Sequence, residues 1–359
     1  MKPDTRPWVL IPIAATLFVL VSAAPVRLGP GGGLPSIADP GPSPTTGRVE
    51  PAAAEPTGRG TALEVAMAEA AFGRSGALRT QVVGPGQALR LELTWHALPI
   101  NSIRYRWRPV LGTTGAGSGG RLGLKDVATA PTAPGVYELE LESDGRQIEF
   151  GEKFRVVVNV PFERKRSGRI GPYRLGRWPT EGEGRTDEYA PPAGFIEVTE
   201  ANQSLPLSEN FTLGQFLTKD QESVWPKYVV VDPKLVDKLE LVLLELRAMG
   251  IRADRMVVMS GFRTPHYNQR HLGNSPSSLS RHLFGDAADV WVENGADRSM
   301  SDLNGDGRRN VNDARVILRA VDRVERRHPD LVGGAGVYRA NNVRGPFIHI
   351  DVRGRRARW

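Results

Sequence analysis

Residues 280–292 read SRHLFGDAADVWV, and this stretch determines the fold expected of the C-terminal half. Within it, Asp289 is followed by the apolar run 290–292. Short apolar runs of β-branched and aromatic residues are typical of buried strands, so we expect Asp289 to lie on a strand. His282 stands seven residues upstream, with Gly285 between the two. Because a glycine permits a tight turn, the loop histidine can fold back over the aspartate.

A second apolar run, FIHID at 347–351, carries another histidine. Alternation along a strand places Phe347, His349 and Asp351 on one face. Two histidines and one carboxylate form a three-ligand zinc set whose fourth position is left to water. The chain has no Cys, which excludes thiolate ligands, and all but one of its 6 His lie at or beyond position 266. Taken alone, a His and an Asp at this spacing more often have a structural role, so the spacing leaves both interpretations open.

Three segments in chain order resemble the signature of the M15 zinc peptidases, the group of D-Ala-D-Ala carboxypeptidases and murein endopeptidases: SGFRTP at 260–265, SxHxxGxAxD at 280–289 and FIHID at 347–351. The segment GGAGVY at 333–338 and the end of the chain are most similar to a branch of exported murein endopeptidases. The resemblance covers roughly residues 205–359. The three motifs are specific only in combination.

The resemblance implies an α+β zinc peptidase domain of the hedgehog/DD-peptidase-like type. It also implies Zn²⁺ as cofactor and peptidoglycan stem peptides as partners, hydrolysed by a murein endopeptidase or a D,D-carboxypeptidase. Carried over by position, the roles are zinc ligation by His282, Asp289 and His349, catalysis by Arg263, and substrate contact by Ser280 and Tyr338. Arg263 then polarises the scissile carbonyl or holds a substrate carboxylate, because a guanidinium presents a planar fork of donors. Helix capping is an equal alternative for Ser280.

The sequence departs from the best-known members of that family at the general base. They place Glu or Asp three residues before the last histidine, where this chain has Pro346. We predict that Asp351 either activates the water or orients a ligand, with Asp286 as the reserve candidate. His266 and His271 are expected to be loop residues beside the cleft. Pro346 also favours an alternative from another class: a non-catalytic exported protein that binds or scaffolds the cell wall and retains the metal site.

A separate metal signal lies at 302–313, which reads DLNGDGRRNVND. It resembles dockerin-like calcium loops, with oxygen ligands at loop positions 1, 3, 5 and 12, a backbone carbonyl at position 7, and glycine at position 6. The predicted Ca²⁺ ligands are Asp302, Asn304, Asp306, Arg308 and Asp313. The calcium loop is expected to stabilise an insertion in the peptidase domain and to take no part in the chemistry. The alternative is a polar turn that binds nothing.

The N-terminal residues predict export. Residues 1–24 combine two basic residues with the uncharged run WVLIPIAATLFVLVSAA, which fits either a cleaved signal peptide or a retained transmembrane anchor. Residues 25–60 are rich in Pro, Gly, Ala and Thr and predict a disordered linker. The expected location is the periplasm or cell envelope.

Between these segments and the C-terminal half, hydrophobic residues recur with period two. Four alternating runs, at 89–95, 103–108, 137–142 and 154–160, predict half-buried antiparallel strands, and the short run 63–72 is compatible with a helix. Arg alternates along one strand and Glu along another, which favours their pairing. We expect an all-β immunoglobulin-like sandwich at 61–161, a connector at 162–200 and the peptidase domain at 201–359.

The charge balance and the remaining helix signals complete the prediction. A net charge of +7 favours anionic surroundings, but no recognition-helix or aromatic–basic strand pattern supports nucleic-acid binding. In the C-terminal half, Asp232 and Pro233 mark a helix start and Gly250 its end. The apolar run 256–259 predicts a buried strand that leads into the 260–265 motif.

Overall fold

A computed structural model describes residues 64–67, 78–94, 103–110, 112–122, 127–143, 145–148, 153–272, 279–295 and 298–359. All of these belong to one structural unit, Gly58–Trp359. The predictions for 1–24 and 25–60 lie outside the described residues. Among the helices of the described ranges, none has the length and apolarity needed to cross a bilayer.

Two β-sheets form the N-terminal half of the described chain. The strands are β1 (Glu64–Met67), β2 (Leu78–Val83), β3 (Ala88–Thr94), β4 (Ile103–Pro109), β5 (Gly119–Arg121), β6 (Val127–Thr129), β7 (Gly135–Ser143), β8 (Arg146–Ile148) and β9 (Lys153–Val158). One sheet has the order β1-β3-β6, and the other has the order β2-β9-β7-β4-β5 with β8 beside β7. The four strands predicted from alternation are confirmed within one or two residues at most ends.

One hydrophobic core takes members from both sheets. It includes Leu89 and Leu91 of β3, together with Trp107, Tyr137 and Phe154 of the larger sheet. The predicted Arg–Glu pairing is also confirmed, because β4 and β7 are antiparallel neighbours in a register that sets each arginine of β4 opposite a glutamate of β7. The immunoglobulin-like class and the domain boundaries stay predictions.

Two local expectations were wrong. The segment Glu64–Met67 is a strand paired with β3, whereas the sequence suggested a helix over 63–72. Such a short segment is a poor helix nucleus, and pairing along β3 satisfies its backbone groups instead. In addition, β2 runs parallel to β9, although the alternating pattern predicted antiparallel strands throughout. Alternation reports burial of one face and carries no information on strand direction.

The residues that follow the two sheets form small β elements: β10 (Val160–Pro161), β11 (Arg169–Ile170), β12 (Tyr173–Arg174), β13 (Gly194–Val198) and β14 (Lys227–Val229). Trp178 and Phe195 from this segment are fully buried and belong to the same core as the C-terminal half. The Trp178 indole N–H donates to the carbonyl of Leu283, at 2.8 Å. The predicted connector therefore packs into the domain and supports the loop that carries His282.

Three α-helices and a five-stranded sheet are the main elements of the described part of the C-terminal half. The elements are α1 (Pro233–Ala248), β15 (Arg255–Ser260), α2 (Pro265–Leu272), β16 (Ala287–Glu293), α3 (Val311–Arg327), β17 (Gly334–Tyr338), β18 (Phe347–Asp351) and β19 (Ala357–Arg358), with strand order β15-β16-β18-β17-β19. The start of α1 is confirmed, since the Asp232 carboxylate accepts from the Lys234 N–H at 2.8 Å. Gly250 follows the helix in a left-handed conformation, with φ +76°.

The sheet has one apolar face and one polar face at its centre. Val290 and Val292 of β16 and Ile350 of β18 are fully buried in the core that includes α1 and α3. Because side chains alternate along a strand, Asp289 and His349 point to the opposite face. These two residues are also direct partners in the β16–β18 register.

A buried lysine ties the two long helices to β18. Lys238 of α1 is fully buried and donates to Glu325 Oε1 of α3 at 2.8 Å and to the Asp351 carbonyl at 2.7 Å. Burial lowers the pKa of Lys238, against the opposing effect of Glu325. This network fixes the backbone of the strand that carries His349.

Candidate metal centre

The loop that carries His282 is built by short-range turns. His282 lies in the 3-10 helix Arg281–Phe284, and Gly285 ends this helix with φ +74°. A Cβ at Gly285 would lie 2.4 Å from the Val230 carbonyl oxygen, so the turn requires glycine. The chain then enters β16 and places Asp289 beneath the histidine. Gly285, which lies between His282 and Asp289 in the sequence, therefore makes the turn that brings the two side chains together.

His282, Asp289 and His349 lie close enough together to hold one metal ion. Asp289 Oδ1 lies 3.3 Å from His282 Nε2 and 3.0 Å from His349 Nδ1. The three ligand atoms lie within 4.8 Å of one another, and all three side chains are buried. A tetrahedral ion bound at about 2.0–2.2 Å from each ligand separates the ligand atoms by about 3.3–3.6 Å. The observed donor set therefore fits Zn²⁺.

Hydrogen bonds fix which ring nitrogen each histidine presents. His282 Nδ1 lies 2.7 Å from the Gly261 carbonyl, which can only accept, so Nε2 carries the free lone pair. His349 Nε2 lies 3.1 Å from Asp351 Oδ2, so its Nδ1 is presented to the site. Such partners behind metal-binding histidines are typical of zinc sites.

The pKa shifts of Asp289 and His282 suit metal binding, whereas the hydrogen bonds of His349 to Asp289 and Asp351 outweigh burial and raise the pKa of His349, so an ion must displace a proton there. Burial opposes ionisation of Asp289, but His282 and His349 outweigh it and hold the pKa of Asp289 well below its usual range. Burial lowers the pKa of His282 in spite of Asp289, so this ring is neutral at pH 7. A neutral imidazole and an ionised carboxylate are the protonation states that a zinc ion requires.

Asp351 lies behind His349. Its fully buried carboxylate also accepts hydrogen bonds from Arg353 Nε at 2.9 Å and from the Gly334 N–H at 2.6 Å. Burial raises the pKa of Asp351, but the bonds from His349 and Arg353 outweigh it and lower the pKa well below the usual value. Of the two roles predicted for Asp351, this position favours orientation of a ligand over contact with water.

Asp351→Asn is expected to weaken zinc binding by about 10- to 100-fold, because partners of metal-binding histidines have effects of that size. The amide keeps the shape but does not provide the charge that holds the His349 ring and Arg353. Competition with a coloured chelator measures the affinity. Asp254→Asn, a surface change in a pair with Arg252, serves as the control. Equal affinity of Asp351→Asn and the wild type would remove the positioning role.

Arg263 contacts the second oxygen of the Asp289 carboxylate. Its Nη2 lies 2.5 Å from Asp289 Oδ2, and its Nε donates to Ser260 Oγ at 2.8 Å. The Arg263 N–H also donates to the His282 carbonyl, at 3.0 Å. Asp289 therefore divides its two oxygens between the histidine cluster and Arg263. This arrangement fixes the guanidinium at the edge of the candidate site.

The candidate site opens into a cleft of about 940 Å³. Ser280 and Tyr338, both predicted to contact substrate, line this cleft together with Arg263. Phe347 stacks on Tyr338 with ring centroids 4.6 Å apart, and Trp359 donates from its indole N–H to the Tyr338 hydroxyl at 2.7 Å. These aromatic side chains form one wall of the cleft.

Trp359 and Arg344 are cleft residues that sequence reasoning did not assign a role. The Trp359 ring lies 5.4 Å from the His349 ring, and Arg344 lies over Phe347 at 4.4 Å. The residue in the sequence that could have indicated the position of Trp359 is Gly336. A Cβ at Gly336 would lie 2.2 Å from the Trp359 indole nitrogen, so this glycine makes room for the ring beside His349.

Asp286 and His266 lie outside the described cleft lining, and the expectation that His266 and His271 are loop residues was wrong, because both belong to α2. Asp286 is buried against Arg281, and burial raises the pKa of Asp286 to about 6. The His266 N–H donates to the Leu175 carbonyl at 2.9 Å, and the His271 side chain is outside the described residues. Among the described residues that line the cleft, Asp289 is the one acid.

The predicted calcium loop is stabilised by its own backbone. Asp302 accepts from the N–H groups of Gly305 and Gly307, at 2.8 and 2.7 Å. Asp313 is buried and forms a capping box with Asn310 at the start of α3. Among the described residues, one group of three His, Cys, Asp or Glu side chains is close enough to share an ion. This group is the one that contains His282, and the calcium loop is not part of it. Calcium binding by 302–313 stays a prediction.

Comparisons of this chain with models of known families, with curated proteins and with solved structures gave no match.

Proposed function

We propose that this protein is a zinc-dependent peptidase that hydrolyses peptide bonds in peptidoglycan, as a murein endopeptidase or a D,D-carboxypeptidase. The observation that carries the proposal is the convergence of His282 Nε2, Asp289 Oδ1 and His349 Nδ1 at the base of an open cleft. The resemblance of three motifs to the M15 zinc peptidases supports the choice of reaction and of substrate class.

The three clustered side chains and Arg263 have different roles in the proposed reaction. His282, Asp289 and His349 would hold the ion. When bound, Zn²⁺ supplies Lewis acidity, which activates water and polarises a carbonyl group. Arg263 is held by Asp289 and Ser260 at the edge of the site, where its guanidinium stabilises negative charge on the carbonyl oxygen.

The lining of the cleft favours a peptide with free carboxylates. Among the described residues, four arginines and one acid line it: Arg263, Arg281, Arg344, Arg353 and Asp289. Three of these arginines are paired with Asp289, Asp286 and Asp351, so the positive charge left over for a ligand is that of Arg344. Stem peptides of peptidoglycan carry several carboxylates, so their charge complements this lining. The stacked rings of Tyr338 and Phe347 provide an apolar surface for the small side chains between those carboxylates.

Mass spectrometry of purified cross-linked muropeptides after incubation with the protein tests the proposal. We expect new peptide termini with the zinc-loaded protein, none after removal of the metal by a chelator, and recovery when zinc is restored. The masses of the products distinguish cleavage of a cross-link from removal of a terminal residue. Intact muropeptides after incubation with zinc-loaded protein would contradict the proposed reaction.

Arg263→Lys is expected to lower kcat by about 100- to 1000-fold, the effect of losing one donor to a developing oxyanion. Lysine keeps the charge beside Asp289 but not the planar fork of donors. Steady-state hydrolysis of one muropeptide, with zinc content measured in parallel, gives the result. Arg339→Lys, on the exposed loop beyond β17, is the control. An unchanged kcat in Arg263→Lys with full zinc content would exclude the assigned role.

A second candidate is a non-catalytic protein that binds or scaffolds the cell wall and retains the metal site. One observation favours it: Pro346 occupies the position of the family's acid, and Asp289 is the one acid among the described residues of the cleft. Zinc-loaded protein that binds purified peptidoglycan in a pull-down but releases no product would support this candidate over the peptidase.

A further inference from the structure

We propose a second binding site on the exposed face of the larger N-terminal sheet, where Arg104, Arg106 and Arg121 bind the phosphate groups of a linear polyanion that has no bases. These residues line a cleft of about 550 Å³ over β4 and β5, which we call the arginine cleft. The site is far along the chain from the histidine cluster and does not depend on the proposed peptidase function.

The charge ladder between β4 and β7 leaves these arginines incompletely paired. Glu140 already accepts from Arg108 Nε at 2.9 Å. Glu138 accepts from Arg155 at 2.6 Å and also from Arg108. Glu140 and Glu142 both line the arginine cleft, and Glu140 is already paired with Arg108, so the three arginines of the cleft outnumber its two glutamates.

The register between β4 and β5 places two like charges together. Arg104 is the direct antiparallel partner of Arg121, and like charges at opposed positions of a sheet destabilise it. Neither residue, nor Arg106, forms an ion pair with an acid of the described chain. An anion between the two side chains would remove this repulsion. Binding of an anion between Arg104 and Arg121 is therefore electrostatically favourable.

The glycines of β5 give the arginine cleft its shape. Gly119 is the register partner of Arg106, and a Cβ there would lie 2.6 Å from the Tyr105 carbonyl oxygen. With Gly120 beside it, the first two positions of the edge strand present backbone without side chains, and all three residues of β5 are exposed. A ligand can therefore approach the arginines from the open edge of the sheet.

The spacing and the surroundings select the kind of polyanion. Arg104 and Arg106 are two residues apart on one strand, so their side chains leave the sheet about 7 Å apart. This distance lets both guanidinium groups contact one extended polymer chain, and guanidinium groups match phosphate oxygens. Tyr105 is only 8% exposed, so its face is closed to the base stacking that single-stranded nucleic acids use.

Binding of inorganic polyphosphate to the full-length protein, followed by calorimetry at several salt concentrations, tests this site. Arg104→Gln combined with Arg121→Gln is expected to weaken binding by about 10-fold or more and to lower the salt slope by about two. The matched control is Arg319→Gln with Arg326→Gln, which removes the same charge from the exposed face of α3 and should change binding by less than about 2-fold.

Three outcomes would overturn the proposal: no binding of polyphosphate by the wild type, equal losses in both double variants, or equal affinity for single-stranded DNA of the same charge. A second readout guards against a folding defect. Without polyphosphate, the Arg104→Gln, Arg121→Gln variant should melt no lower than the wild type, because it removes a like-charge pair. A lower melting temperature would show that the two arginines stabilise the sheet and would contradict the proposed repulsion.

Discussion

His282→Ala is expected to leave the purified protein without bound zinc and without hydrolysis of muropeptides. The buried His282 is one of the three proposed ligands, and even partners behind zinc ligands change affinity by about 10- to 100-fold. Loss of a ligand should exceed that range. Metal analysis by mass spectrometry gives the zinc content, and product analysis of cross-linked muropeptides gives the rate.

The control for this variant is His266→Ala, which removes a histidine of α2 outside the cleft lining. It should retain the zinc content and the rate of the wild type. Circular dichroism checks that both variants are folded. A folded His282→Ala protein with wild-type zinc content and wild-type hydrolysis would show that the assigned ligand set is wrong.

Lys238→Ala is expected to lower the free energy of unfolding by about 3–5 kcal/mol, the cost of breaking a buried ion pair. Its removal leaves the buried Glu325 with Arg358 as its remaining positive partner and takes a donor from the Asp351 carbonyl of β18. Urea denaturation measures the change. Because Asp351 orients His349, the variant should also bind zinc less tightly.

Lys234→Ala provides the matched comparison for Lys238→Ala, since both residues lie on α1 and Lys234 is exposed. Its effect should stay below about 0.5 kcal/mol, as for most surface substitutions. A loss in Lys238→Ala as small as that of the control would mean that the network between α1, α3 and β18 contributes little to stability.

Much of the fold around the candidate site followed from local patterns. The apolar run after Asp289 and the alternation around His349 predicted two strands, and their register as direct partners brings the two side chains to one face. The start of α1 at Asp232 and its end at Gly250 were also predictable from the sequence, because helix caps depend on neighbouring residues alone.

Other features depend on contacts between residues that are distant in sequence. The Trp178 indole N–H donates to the Leu283 carbonyl and so supports the loop that carries His282. The two bonded residues are 105 positions apart in the chain. Spacing could not distinguish the two roles of Asp351, since its position behind His349 depends on Arg353 and on the strand beside it. The parallel pairing of β2 with β9 could not be predicted either, because side chains alternate with a period of two residues in both parallel and antiparallel strands.

The most direct measurement of the central claim is an anomalous difference map, recorded at the zinc absorption edge on crystals of the protein grown with zinc. We predict one strong peak at bonding distance, about 2.0–2.2 Å, from His282 Nε2, Asp289 Oδ1 and His349 Nδ1 together. A map with no peak within reach of all three atoms would contradict the zinc centre and, with it, the proposed peptidase.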